Sequence, residues 1–404
     1  MFARRKFFFA LALSLSLTHS ASAQSPADPA KLAAIKGRMQ KFIDEGELAG
    51  VVTVVGRKDG VVHHEALGLA SIEAKTPMTK DTVFRIASMT KPITAIAIMI
   101  LADEGKLSPN DLVEKYLPEF RGQMLVAARG KDTLTLKKPS RPITLKDLLT
   151  HTSGLPSGYP AGLADIYIKR DRTLAEATLV ASQQPLQFEP GTKWAYCNAG
   201  IDTLGRVVEV VSGQSFESFL KSRLFDPLGM TDTTFYPSES QRARLAQTYG
   251  KNDGKLFPVT GAVLECPTTA KHPVPAGGLY STGADLAKLY TMMLNKGQLG
   301  GKRILSEKAV AEMTAIHTGE LTAGFTPGTG FGYGWAVVKQ PTGVTEMLSP
   351  GTYGHGGAFG TQGWIDPTQD LFVVLLIQRT SLQNGDASAM RQALQEQAVA
   401  AVKK

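Results

Sequence analysis

The chain has 404 residues, with 44 Lys and Arg against 36 Asp and Glu, and a formal net charge of +8. Its basic residues are dispersed, with no dense block and no nucleic-acid motif, so a solvated surface accounts for them better than nucleic-acid binding does. The seven histidines and two cysteines match no metal-ligand spacing, and no motif implies a cofactor.

The chain opens MFARRKFFFALALSLSLTHSASAQ. Arg4, Arg5 and Lys6 precede an apolar stretch, Phe7 to Leu17, and the small residues Ala21 and Ala23 stand ahead of Gln24. This is the layout of a secretory signal peptide, its apolar stretch too short to span a bilayer, and it predicts export to the periplasm or medium with residues 1–23 removed. Cleavage takes away three basic residues and no acidic one, lowering +8 to +5. The Arg4-Arg5 pair hints at a twin-arginine route. No cysteine follows the apolar stretch to take a lipid anchor, and no membrane span is expected in the mature form.

The roughly 380 residues that remain exceed the ~250–300 that a single core holds comfortably. AGVVTVVGRKDGVVHHEALG predicts a β-hairpin about Lys58-Asp59-Gly60, with His63 and His64 on opposite faces. In RIASMTKPITAIAIM and the residues after it, Ile93, Ile96, Ala97, Ile100 and Leu101 recur at helical spacing. Ile98 and Met99 fill the other side, which predicts a largely buried helix. TLTLKKPSRPITL reads as an exposed connection, and AGIDTLGRVVEVVSG and SFESFLKSRLFDPLG read as helices. GYGWAVV, GTQGWIDP and LFVVLLIQR read as strands. The pattern predicts an α/β (α+β) fold: a mainly antiparallel sheet built from both chain ends, with helices on both faces. Residues 24–105 and 270–404 would form the sheet domain, and 106–269 a mostly helical insertion. Cys197 and Cys266 could pair in an exported protein, or stand as free thiols.

Lys91 is the only charge between Arg85 and Asp103. An ammonium that loses water carries a heavy cost, and the start of a helix disfavours a cation. Both effects push such an amine from its ordinary ~10.4 toward a usable proton acceptor. Pro92 sets the helix start close by, so Ser88 and Lys91, three residues apart, face the same way in or beside the first turn. On these residues alone a helix cap and a snorkelling lysine are the better account of the pair, because Ser-x-x-Lys is a common pattern. Ser218 and Lys221 in SFLK repeat the spacing within an amphipathic pattern and read as a solvated pair. What sets Ser88 apart is company: Tyr196-x-Asn198 in PGTKWAYCNAG and His355-Gly356-Gly357 in YGHGGAFG. A tyrosine beside a lysine can shuttle protons, an asparagine amide can bind a carbonyl, and a glycine-rich strand edge lets backbone N–H groups reach a reacting atom.

With DTVFRIASMTKPITA, ITLKDLLTHTSGLP, FEPGTKWAYCNAGIDTLGRVVE, PLGMTDT, PAGGLYSTGADLAKL and YGHGGAFGTQGWIDP, the chain from about Leu32 to Arg379 resembles the serine β-lactamase-related hydrolases: class C β-lactamases, D-Ala-D-Ala carboxypeptidases and β-lactamase-like esterases. The resemblance implies a sheet domain and a helical domain with the site between them. It implies Ser88 as the nucleophile that forms an acyl-enzyme, Lys91 as the group that helps deprotonate it, and Tyr196 as general base and later acid. Asn198 would be a substrate-binding amide, and His355, Gly356 and Gly357 the third motif. The backbone N–H groups of Ser88 and Ala358 would bind the oxyanion. Lactamases usually carry Lys-Thr-Gly in that third motif, where Lys and Thr help hold the substrate carboxylate. His355 is mostly neutral at pH 7 and Gly356 has no hydroxyl, although His355 is expected to gain charge as the pH falls toward 6. The departure favours a carboxylesterase of small acyl esters. A β-lactamase, a D-Ala-D-Ala carboxypeptidase or a D-aminopeptidase is the alternative, with a β-lactam or D-amino-acid peptide as substrate. A non-catalytic penicillin-binding sensor or scaffold is the alternative of another class. An α/β-hydrolase is disfavoured, because GLYSTG has one residue too many before Ser281 for a nucleophile elbow.

Overall fold

The structure, a computed structural model, describes residues 27–402 except 159, 161, 164, 165, 167, 168 and 262–264. The segment read as a signal peptide, residues 1–23, lies outside the described residues. The first helix, α1 (Pro29–Asp44), starts where Asp28 accepts from the Ala30 N–H at 2.9 Å. The hairpin expected next is present: β1 (Gly50–Arg57) and β2 (Gly60–Ser71) pair antiparallel about Lys58-Asp59, and β3 (Thr76–Pro77) adds a short edge. Toward the other end of the chain lie β4 (Thr329–Phe331), β5 (Ala336–Val338), β6 (Tyr353–Gly356), β7 (Gln362–Asp366) and β8 (Leu371–Leu376), of which β5, β7 and β8 are the strands read from GYGWAVV, GTQGWIDP and LFVVLLIQR. Together they make one eight-stranded antiparallel sheet in the order β4-β5-β6-β7-β8-β1-β2-β3. The two ends of the chain meet where β1 pairs with β8, Val52 opposite Leu376 and Val54 opposite Val374.

Every residue of β1 and β8 is buried, which explains why they read as unbroken apolar runs. Alternation still sorts their side chains. Val52, Val54, Phe372, Val374 and Leu376 join one core, whereas Val51, Val55, Leu371, Val373 and Leu375 join the other. The second core is covered by α1 and the last helix, Ala389–Val402. On the first face lie the helix Gly283–Leu294 and α2 (Thr90–Asp103), which is buried from Thr90 to Leu101. That core continues without a break through α2 to Leu145, Leu148, Leu204, Val207 and Phe216 of the central segment. The helix expected in that segment from AGIDTLGRVVEVVSG is α3 (Asn198–Ser212), closed by Gly213 in the left-handed conformation.

The stretch read as an exposed connection is only partly one. Leu134–Lys137 forms the second arm of a two-stranded ribbon with Leu125–Arg129, all four of its residues exposed. An arm without a buried residue leaves no alternating signal to read. Cys197 and Cys266 are both free and buried. The Cys197 thiol instead caps α3, its sulfur accepting from the Gly200 N–H at 3.3 Å.

Candidate active site

Ser88 sits in a single 3₁₀ turn, Ala87–Met89, which runs directly into α2. Ala87 carries φ +46°, and a left-handed alanine costs about 1–2 kcal/mol. The surrounding packing holds it there, since Ala87 is fully buried. This bend aims the Ser88 side chain back toward Lys91, and Lys91 Nζ and Ser88 Oγ lie 3.0 Å apart. Lys91 has no exposed surface; its Nζ also donates to the Ala276 carbonyl at 2.6 Å and sits 4.6 Å from the centre of the Tyr196 ring. Burial pushes its ammonium well below the ordinary lysine value, with Asp202 and then Cys197 opposing.

Tyr196 lies just ahead of α3 on a loop fixed by His151. The Cys197 N–H donates to His151 Nδ1 at 3.2 Å, and the two rings pack 4.5 Å apart. Burial pushes the Tyr196 phenol above its ordinary value, with the Ser88 hydroxyl pulling the other way and Asp386 adding to the rise. Asn198 is the first residue of α3, half-buried; its side-chain amide makes no hydrogen bond among the described residues. His355, on β6, is 3% exposed and faces Tyr196, with His355 Nε2 3.5 Å from the phenol oxygen. A carbonyl cannot donate, so Nδ1 carries the proton and gives it to the Gly356 carbonyl at 2.6 Å. Nε2 is therefore left to accept from the Tyr196 O–H.

His355 departs from its expected behaviour with pH. Burial, and Lys91 beside it, push its pKa down to about 3, so a fall to pH 6 leaves it neutral. A ring enclosed by Tyr196, Phe331 and β6 and only 3% exposed is shielded from the solvent that would stabilise a charge.

Gly356 and Gly357 are glycines for packing reasons. A Cβ on Gly357 would overlap Thr361 Oγ1 and the Ile86 carbonyl oxygen, so only glycine lets β6 lie against the Ser88 turn. A Cβ on Gly356 would overlap Asp386 Oδ1 and Gln362 Nε2. Ala358 follows in an exposed turn, and neither its backbone N–H nor that of Ser88 donates to an acceptor among the described residues. The structure thus brings Ser88, Lys91, Tyr196, His355 and the Gly356-Gly357 edge together. It leaves the second Ser-x-x-Lys pair apart: Ser218 and Lys221 are exposed, Ser218 bonded to Ser215 and Lys221 paired with Asp226.

Three residues of this neighbourhood were not legible as site residues. Asp202, 4% exposed on α3, accepts from the Ala276 N–H at 2.8 Å, so Lys91 and Asp202 hold the two polar ends of the same residue. Burial pushes its carboxyl up, while Ala276, Lys91 and Arg170 hold it down. A carboxylate four residues into an otherwise apolar helix face was the available signal. His151 and Phe325 gave none; Phe325 is 43% exposed, its ring 4.9 Å from that of Tyr196 and 5.7 Å from that of Trp194.

A helix-flanked antiparallel sheet that presents a serine, a buried amine and a phenol in mutual reach defines a serine hydrolase. The comparisons carry this to a family. The family model named Beta-lactamase matches residues 34–397, and the chain belongs to that family. It is 33% identical to the esterase EstB of Burkholderia gladioli over 86% of this chain and 91% of the relative. It is 32% identical to the lovastatin esterase of Penicillium rubens over 87% and 94%. A relative from Escherichia coli K12, named as a candidate D-alanyl-D-alanine carboxypeptidase, is 29% identical over 84% and 81%. Among solved structures, EstCE1, described as a hydrolase with promiscuous acyltransferase activity, superposes with TM-score 0.75 at 28% identity, covering 92% of this chain and 98% of its own.

Proposed function

We propose that the protein is an exported carboxylesterase of small neutral acyl esters, working through an acyl-enzyme on Ser88. The observation that carries the reading is the 3.0 Å approach of Ser88 Oγ to a fully buried Lys91 amine. In its neutral form that amine accepts the Ser88 proton as Oγ attacks the ester carbonyl carbon. The tetrahedral oxyanion then takes the free N–H groups of Ser88 and Ala358. As the C–O bond breaks, the Tyr196 O–H protonates the departing alkoxide and is itself reprotonated from Lys91. Water attacks the acyl-Ser88 carbonyl by the reverse route and releases the acid. The upward shift of the phenol argues for Tyr196 as a neutral relay, with Lys91 as the base. Asn198, with its amide unengaged, is suited to bind the acyl side.

An ester is favoured over a β-lactam or a peptide C-terminus because the third motif offers no cation: His355 is neutral and Gly356 bare. The relatives named esterases support the same choice. Purified protein lacking residues 1–23 is to be assayed in parallel on p-nitrophenyl butyrate, nitrocefin and a D-Ala-D-Ala peptide. The expected result is a kcat/KM for the ester at least tenfold above the others, a difference of about 1.4 kcal/mol in transition-state binding. A preference for either anionic substrate at pH 8 transfers the assignment to a lactamase or peptidase. Export rests on the N-terminal sequence: protein recovered from the periplasm or medium should begin at Gln24, and an N-terminal read of Met1 contradicts it.

A further inference from the structure

We infer that Asp386 sets the charge selectivity of the cleft. Its carboxylate disfavours substrates with an anion on the leaving-group side of the scissile bond and restricts the enzyme to neutral or cationic esters. The inference rests on the esterase reading and adds a specificity-determining residue to it.

Asp386 lies in the short 3₁₀ turn Gly385–Ala387, thirty residues beyond the third motif in sequence and directly upon it in space. Its Oδ1 occupies the volume that a side chain at 356 would fill and accepts from Gln362 Nε2 at 3.2 Å. Where this family's lactamases place a hydroxyl that helps hold a carboxylate, this chain places a carboxylate of its own. The same turn is tied to the rim of the cleft: Asn384 Nδ2 donates to the Phe325 carbonyl at 2.8 Å, and the Phe325 ring packs on Tyr196. Asp386 is half-buried, so water screens it incompletely; burial pushes its carboxyl up, while Arg391 and the Gln362 amide hold it down, and its charge adds to the rise of the Tyr196 phenol. Tyr196 is the proposed proton donor to the leaving group, which places Asp386 on that side of the reaction.

Among the described residues that surround Tyr196, no charged amine or guanidinium faces Asp386 from the substrate side. Lys91 is driven toward its neutral form, and His355 is neutral. Arg391, the counter-ion of Asp386, is 1% exposed; its guanidinium lies 3.8 Å over the Trp364 ring, in the core on the opposite face of the sheet from α2. It also donates to the Asp386 backbone carbonyl. Arg391 steadies the turn and holds the Asp386 carboxyl toward its charged form from behind, on the side away from Tyr196.

The test is a series of phenyl acetates that differ at the 4-position: trimethylammonio, methoxycarbonyl or carboxylate. Each kcat/KM is divided by the hydroxide-catalysed rate of the same ester. The wild type should favour the trimethylammonio ester over the methoxycarbonyl ester, and that ester over the carboxylate by about tenfold, the effect of one charge at short range in a partly screened site. Asp386→Asn keeps the acceptor for Gln362 and should raise the carboxylate-to-methoxycarbonyl ratio about tenfold. A folding defect would scale both esters alike and leave that ratio unmoved. If the variant, with Arg391 uncompensated, does not fold, the order in the wild type decides. A wild type that takes the carboxylate ester as readily as the methoxycarbonyl one, or a folded Asp386→Asn with an unchanged ratio, overturns the inference while the esterase reading stands. A wild type that hydrolyses none of the three overturns both.

Discussion

Lys91→Met should lower kcat/KM for p-nitrophenyl butyrate by ~10³–10⁴-fold, the range expected when a positioned general base is lost. Methionine has the same unbranched reach and removes only the amine. The fold should persist, with a melting temperature equal to or above that of the wild type, because an amine with no exposed surface carries a desolvation cost that a thioether does not. The pH profile separates chemistry from packing. Burial lowers the Lys91 pKa, and only the neutral amine can take the Ser88 proton. Activity should therefore be lost as the pH falls through that lowered pKa, giving an acid limb near neutrality and well below the ordinary lysine range. His355, at about 3, adds nothing to the profile above pH 5. The residual activity of Lys91→Met should lack the limb. Steady-state kinetics from pH 5 to 10 check this, and a wild-type limb near pH 10 would contradict a lysine made acidic by its surroundings.

The parts of the fold that could be read in advance are those where burial imprints a period. The β1–β2 hairpin and the strands of GTQGWIDP and LFVVLLIQR announce themselves because each places apolar side chains against a core. The Leu125–Lys137 ribbon does not, since Leu134–Lys137 is wholly exposed and its leucines read as part of a loop. Within the site, Ser88 and Lys91 are legible through local spacing and through the isolation of one charge in an apolar run. Tyr196, Asn198 and His355 become legible only as companions in a fixed order. Asp386 was out of reach, because its relation to Gly356 is made by two chain segments thirty residues apart folding onto one point. Nor could the sequence reveal the charge state of His355. That depends on enclosure by Tyr196 and Phe331, which come from distant segments, and enclosure moves a pKa without leaving a local pattern.

Ser88→Ala should abolish acylation outright, since Lys91 and the free N–H groups remain but no oxygen is left to form the acyl bond. Ser218→Ala should leave acylation within about twofold of the wild type. Its hydroxyl is exposed, engaged with Ser215, and its Lys221 is occupied by Asp226. The most direct measurement is intact-mass spectrometry after a brief pulse of p-nitrophenyl butyrate quenched in acid, followed by peptide mapping. Wild type and Ser218→Ala should each gain one butyryl group on the peptide containing Ser88, and Ser88→Ala should gain none. A butyryl adduct that persists in Ser88→Ala, or that maps to another residue in the wild type, contradicts the account.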